Sequence, residues 1–346
     1  MKKFSNMAEF AAHVGLSRCT VSFILNDKWR IHNISPKTAK RVLDLAEKYQ
    51  FTPNYLGLAI NGKIKIDVAI LLPKNVYDHH REAFFRLIDI IDANGLKYLI
   101  MQLGDDKNNR QLIERLHNFR IDKAVVIAAP IFAGHDSYDW WLQTTRKNPE
   151  IRFLLYDYRI NCKQKGLVWP ENVHITGFDA GLAYENIVEY ITAAGYTSFH
   201  LFNASKSHPA VQYSQKIGLK VHAHGKFVGE TSLFRLGERI GAQLAELPNP
   251  RRVAVFIGDD TVTISTVKYL LERGFRVPEN FAFISWDGLA ISEYFLRTVT
   301  TLEIPHTKML SYAKNFVTGK DCEQSLIVTP IIRVGETMPQ KKCMSP

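Results

Sequence analysis

Apolar positions in the first 50 residues recur at helical spacing in three short groups. Met7, Phe10, Ala11 and Val14 form one stripe, Val21, Ile24 and Leu25 a second, and Val42, Leu45, Ala46 and Tyr49 a third. Gly15 suits the C-terminal end of the first helix and Asn26 closes the second. Ser17 fits an N-cap, and Ser35-Pro36 places a capping serine before a proline at the first helical position. Pro53 then breaks the chain. The segment after it, with Gly57 and Gly62, is a poor helix by itself and reads as a linker.

From residue 65 the pattern changes to apolar runs alternating with amphipathic segments. Strands are expected at 66–72, 97–103, 123–128, 152–156, 172–176, 198–202, 252–257 and 281–285. Helices are expected at 82–94, 108–118, 180–194, 235–247 and 262–273. Such alternation predicts an α/β core of parallel sheets with helices on both faces, behind an all-α head. Two sets of about four strands suggest two lobes rather than one very wide sheet.

Composition narrows the class. With 346 residues, 46% hydrophobic and 23% charged, the chain is an ordinary globular sequence of two to three units, neither disordered throughout nor disulfide-dense. Cys19, Cys162, Cys322 and Cys343 form no CxxC pair, so neither a zinc site nor a disulfide framework is expected, and a reducing cytoplasm is the default. The N-terminus lacks the apolar run of a signal peptide, and no stretch is apolar enough to cross a membrane.

Charge is more informative. Residues 1–64 hold ten Lys/Arg and four Asp/Glu, a surplus of six within a total of +10. A small basic unit on a nearly neutral body fits a polyanion-binding head, although a solvated basic surface would look the same. Helix, glycine-containing turn, helix is also the order of a helix-turn-helix, whose second helix lies in the major groove. Arg18, Cys19, Ser22 and Phe23 face away from Val21, Ile24 and Leu25. Arg18 can donate two hydrogen bonds to a guanine, and Ser17 and Thr20 suit phosphate contacts. A plain three-helix packing module is the alternative.

The stretch AEFAAHVGLSRCTVSFILN, followed by ISPKTAKRVLDLAEKYQFTPN, resembles the head of the lactose-repressor (LacI/GalR) family. Ala11, Gly15, Ser17, Thr20, Val21, Ser22, Asn26, Ser35, Thr38, Val42, Phe51, Pro53 and Asn54 occupy matching places, and the resemblance implies DNA contacts for Ser17, Arg18, Cys19, Thr20, Ser22, Phe23, Asn26, Ser35 and Thr38. VAILLP at 68–73, the block from ITGFDAGLAYEN onward and VAVFIGDDTVTIS through TVTTLEIP are similar, in order, to blocks of the regulatory core. The resemblance implies a helix-turn-helix head (1–52), a hinge (53–64) and a two-lobed periplasmic-binding-protein-like core (65–346). Lobe 1 is placed at about 65–161 and 304–325, and lobe 2 at about 162–303 and 326–338. It implies a DNA-binding transcriptional regulator, a repressor of a pseudo-palindromic operator, acting as a homodimer with a tetramer possible and controlled by a small molecule.

This chain departs from the family in places. The loop DKWRIHN is about three residues longer than usual. Phe23 stands where an Arg is usual; it can contact a thymine methyl or pack under the enlarged loop. The resemblance puts Asn54, Gly57, Leu58 and Ile60 in a hinge helix, with Ile60 as the minor-groove wedge, although a linker that never inserts remains open.

In open α/β sheets ligands sit beyond the carboxyl ends of strands. Asp157, Asn203, Asp259 and Asp287 follow strand candidates, and the resemblance carries Asp157, Asp259 and Asp287 to ligand-contacting positions. Gln215 replaces the usual ligand-binding Arg. Acids with Trp286 nearby fit a neutral sugar, with Phe84 and Tyr77 as further stacking candidates. An anionic ligand would instead turn to Lys216 or Arg159. Asp260 is expected to cap the following helix. No GxSxG, HExxH or phosphate-loop motif is present. His79-His80, read as an adjacent pair on a loop and so pointing in two directions, and His222/His224 both lack a nearby Cys cluster and do not suggest a metal. No enzyme, cofactor or metal is expected. The competing reading is a cytoplasmic solute-binding protein, or a carbohydrate-active enzyme, with a vestigial head.

Overall fold

The computed structural model describes residues 4, 6–25, 27–51, 65–73, 78–103, 106–127, 137–160, 168–225, 227 and 232–338. The chain divides into two compact units, one holding Met1–Ile66 and the other nearly all of the rest.

The first unit contains α1 (Met7–Val14), α2 (Arg18–Leu25) and α3 (Pro36–Lys48). Asn6 caps α1 by accepting the Ala8 and Glu9 amides. Gly15 ends it at φ 71°, a left-handed conformation that a residue without Cβ adopts freely. Ser35 caps α3 through the Thr38 amide. The inward stripes meet in a small core of Phe10, Ala11, Val14, Val21, Ile24, Ala39, Val42, Ala46 and Phe51. Phe10 and Phe51 stack at 4.3 Å, and Arg41 donates to the Val14 carbonyl, fastening α3 to the end of α1.

The second unit begins with β1 (Val68–Leu72), α4 (Asp78–Ala93), β2 (Tyr98–Gln102), α5 (Asp106–Asn118), β3 (Lys123–Ile127) and α6 (Ser137–Lys147). β4 (Arg152–Ile160), β5 (Val173–Asp179), α7 (Ala180–Ala193), β6 (Ser198–Leu201), α8 (Pro209–Lys216) and β7 (Lys220–Ala223) follow. Then come α9 (Leu233–Ala245), β8 (Val253–Phe256), α10 (Asp260–Leu271), β9 (Phe281–Asp287) and α11 (Ile291–Tyr294). The last elements are β10 (Thr300–Glu303), α12 (His306–Thr318), β11 (Ser325–Val328) and β12 (Ile331–Arg333).

Among the described residues these strands form two six-stranded sheets, ordered β11-β5-β4-β3-β1-β2 and β12-β10-β9-β8-β6-β7. Every pairing is parallel except β10 with β12. Such strands are covered on both faces, which is why β9 reads as an unbroken buried run. Each fully buried Phe or Ile there contributes about 1.5–3 kcal/mol. Gly237 on α9 is needed for close helix packing, because a Cβ would stand 2.5 Å from Ser265 Cβ on α10.

The lobe boundary drawn from sequence needs correction. β5, expected in the second lobe, pairs with β4 in the first sheet, so the chain crosses after Asp179 rather than at 161. The final crossing falls between β11 and β12, a few residues later than expected. Neither point could be read locally, because a parallel strand carries the same apolar run in either sheet. Helices α6, α8, α11 and α12 and strands β7, β10, β11 and β12 stand outside the expected elements. α8 and the four strands are short, at most eight residues, whereas α12 has a full apolar stripe of Met309, Leu310, Ala313, Phe316 and Val317 at helical spacing.

Candidate functional site

Two groups of residues carry the chemistry. In the head, the Gly15 turn delivers Ser17 to the start of α2. Ser17 Oγ accepts the Thr20 amide at 3.0 Å and pairs with Thr20 Oγ1 at 2.8 Å. Ser35 and Thr38 repeat the arrangement at α3, with hydroxyls 2.8 Å apart. These four hydroxyl groups, read from sequence as DNA contacts, thus also build helix starts. Arg18 and Cys19 are exposed, while Ser22 and Phe23 are half-buried. Phe23 is stacked on His32 at 3.5 Å and 13°, so it packs against the enlarged loop. Asn26, Asn54, Gly57, Leu58 and Ile60 lie outside the described residues.

In the core, Asp157 occupies a register shift in β4, at φ 57°. The bulge turns its side chain into the protein. Its Oδ2 lies 2.7 Å from His80 Nε2, with neither side chain exposed. The Arg159 guanidinium is 3.7 Å from the same oxygen. It lies 5.6 Å from the Phe178 ring and 6.0 Å from Trp286, so one cation touches aromatic faces carried by both sheets. Trp286 packs on Tyr184 at 4.7 Å and is 2% exposed. Its indole N–H is buried and has no hydrogen-bond partner among the described residues. Asp287 follows at φ 114° and borders a cavity of about 320 Å³. Glu82, Arg86, Glu303, His306 and Lys308 also line that cavity, which makes it strongly charged.

His80 is not a loop residue: α4 begins at Asp78, and His80 shares its inward stripe with Ala83, Leu87 and Ile91. Ala83, Leu87 and Ile91 extend back to His80 at helical spacing, but a histidine at the head of a stripe carries no apolar signal. Asp259, not Asp260, caps α10, accepting the Val262 amide at 2.9 Å. A cap receives the amide two or three residues on, and Val262 lies three after Asp259, whereas the Asp260 side chain is turned to Thr301 and Leu289. Asp260 is buried and accepts the Thr301 hydroxyl and the Leu289 amide, each at 2.7 Å. Burial pushes its carboxyl up to about 7; the Ser285 and Thr301 hydroxyls and the Leu289 amide oppose this, and Asp287 adds to it.

Asp157, Arg159, Trp286 and Asp287 therefore gather at the inner ends of β4 and β9, while Asp259 is committed to its cap. Asn203 and Gln215 are exposed residues after β6 and on α8. Phe84 packs against the core and Tyr77 lies outside the described residues. His208, unforeseen, caps α8 through Nδ1 and the Ala210 amide, and burial pushes it down to about 4. Among the described residues no group of three or more His, Cys, Asp or Glu side chains could hold a metal ion. No described helix is long and apolar enough to cross a membrane.

Comparison with known proteins agrees with this architecture. Residues 188–319 match the periplasmic binding protein-like domain family. The chain is 24% identical over 327 residues to the HTH-type transcriptional regulator AscG of Escherichia coli (strain K12), covering 88% of this chain and 89% of AscG. The lac repressor dimer bound to operator and the anti-inducer ONPF superposes with a TM-score of 0.70 at 14% identity, covering 98% of this chain and all of that one. The regulator CCPA of Weissella paramesenteroides with bound glucose gives 0.61 at 15% identity, covering 79% and 98%. This chain has the lactose-repressor fold and resembles that family over nearly its whole length. The relatives named are transcription regulators rather than enzymes.

Proposed function

We propose that the protein is a sequence-specific DNA-binding transcriptional regulator, a repressor, whose operator affinity is set by a small molecule bound between the two lobes of its core. The carrying observation is the head: a capped α2 that buries Val21 and Ile24 and leaves Arg18 and Cys19 exposed, on a unit with a surplus of six positive charges. A short basic helix displayed in this way suits the major groove. Residues 1–52 serve as the head, 53–64 as the hinge and 65–346 as the core. Two-fold assembly supplies a second head for a pseudo-palindromic operator, because one α2 spans too few bases.

The effector is a sugar. Asp157 and Asp287 offer acceptors for hydroxyls, Trp286 offers an indole N–H, and Arg159 offers a donor. A structural neighbour with bound glucose supports this class without naming the molecule. A cytoplasmic location follows from the proposed partner, DNA. The test is a gel-shift on DNA flanking the protein's own gene, with and without a panel of sugars. A specific complex that one sugar dissolves or strengthens supports the reading; no specific complex on any flanking DNA sinks it. Ile60→Ala should then weaken operator binding while leaving sugar binding to the core unchanged.

A further inference from the structure

The loop between α2 and α3 is exposed, basic and held in a defined shape. Its backbone closes through Lys28 N to Phe23 O at 2.8 Å, Ile34 N to Trp29 O at 2.9 Å and Asn33 N to Arg30 O at 3.2 Å. The Trp29 indole donates to Asp27 at 3.0 Å, and the Arg30 guanidinium lies 4.9 Å over the Trp29 ring. Trp29 in turn packs on the head core. The loop is therefore anchored from beneath, and it shows to solvent Asp27, Lys28, Arg30, Ile31, His32 and Asn33, with Asp27 held by the Trp29 indole. Ile31 is 77% exposed, the most solvent-accessible apolar residue of the head's core-forming segment.

The decisive contact is the stack of His32 on Phe23. Phe23 lies one helical turn beyond Cys19 on the side of α2 that points away from the head core. It has no group that can hydrogen-bond a base. The ring lying on it does: an exposed imidazole with a donor and an acceptor nitrogen, whose ring makes no hydrogen bond among the described residues. Phe23 thus acts as a platform that fixes the plane of His32 beside the outward stripe of Arg18, Cys19 and Ser22. Arg30 and Lys28 flank it, and neither has a carboxylate partner among the described residues.

We propose that residues 27–34 form a second DNA-contacting element, with His32 meeting a base edge and Arg30 and Lys28 meeting phosphates. The inference rests on the DNA-binding reading above. Duplex DNA is the occupant because the patch is cationic, carries no acid besides the Trp29-bound Asp27, and is continuous with the outward face of α2.

The experiment uses the full-length protein and a randomised duplex pool. Wild type selects an operator from the pool; His32→Ala, His32→Phe and Arg30→Ala are then measured on it across a salt series. His32→Phe retains a ring to stack on Phe23 but loses both nitrogens. Both His32 variants should bind about ten-fold more weakly and lose preference at one base pair. Arg30→Ala should weaken all sequences alike and lower the salt slope by about one. If wild type selects an operator but these variants retain its affinity, base preference and salt slope, the loop inference fails and the DNA reading stands. If wild type selects no sequence, the DNA reading fails and takes the loop with it.

Discussion

His80 Nε2 and Asp157 Oδ2 meet at 2.7 Å across 77 residues of sequence, both fully buried. The pair joins α4 to the bulge of β4 and so sets where Arg159 and Asp157 stand. A single proton shared between the two atoms makes this a hydrogen bond: with the carboxylate ionised, His80 Nε2 is the donor. Removing one member leaves the other buried beside a weaker partner. His80→Ala should therefore cost about 3–5 kcal/mol, read from urea unfolding. A loss below about 1 kcal/mol would show that water or Arg159 compensates, and the pair would not be the strut described.

His208 must keep Nδ1 unprotonated to receive the Ala210 amide, and burial holds it at about 4 against an ordinary 6.5. The unfolded chain takes up a proton below 6.5 that the folded chain refuses. This contribution to stability is therefore lost as pH falls from about 6.5 towards 4. His208→Asn retains a capping side chain without a titrating ring. Its urea midpoint should fall less than that of the parent between pH 7 and pH 5; parallel curves would contradict the assignment.

Asp260 acts with the opposite sign over much of the same range. Its carboxyl is raised from 3.8 to about 7, chiefly by burial, so the folded state holds a proton that the unfolded state releases. Stability should fall as pH rises from about 4 to 7 and level off above. The two effects partly cancel in the parent, so each is read from the difference between variant and parent. Asp260→Asn should remove the downward slope, whatever its cost at fixed pH. An unchanged slope would mean the carboxylate stays ionised, held by Thr301 and Leu289.

In the head, Arg18→Ala should weaken operator binding by about 1–3 kcal/mol and relax one base preference, because a base-reading side chain carries sequence information. Ser17→Ala loses the Thr20 cap, which costs about 0.5–2 kcal/mol of stability, and should weaken all DNA sequences alike. Competition binding against single-base operator variants separates the two. Equal loss on every sequence for Arg18→Ala would remove it from base readout.

At the core site, Asp287→Asn should retain the fold and weaken sugar binding, since one acceptor oxygen becomes a donor amide. Operator binding should persist and lose its response to the sugar. Calorimetry with the sugar identified by gel-shift is the direct measurement. Tight binding of a carboxylated or phosphorylated ligand in place of any neutral sugar would transfer the anchoring role to Arg159, whose guanidinium already stands beside Asp157.

Local chemistry fixed much of this protein before any folding was considered. The three head helices follow from apolar spacing, from Ser35-Pro36 and from Gly15, each of which acts within one turn of chain. The α/β class follows from runs such as those of β1 and β9, which are apolar because both faces are covered. Tertiary structure decided what depends on distant partners. β5 belongs to the first sheet because β4 and β11 flank it, and its own residues are equally compatible with either sheet. His80 became a buried strut only when α4 was laid against β4. The roles of Asp259 and Asp260 separated only when Leu289 and Thr301 arrived beside the second of them. Phe23 shows the same limit: its sequence left base contact and packing open, and the stack with His32, nine residues away through a loop, settled where its ring lies. Periodicity encodes which face a residue takes, whereas the partner met on that face depends on chain closure over tens to hundreds of residues.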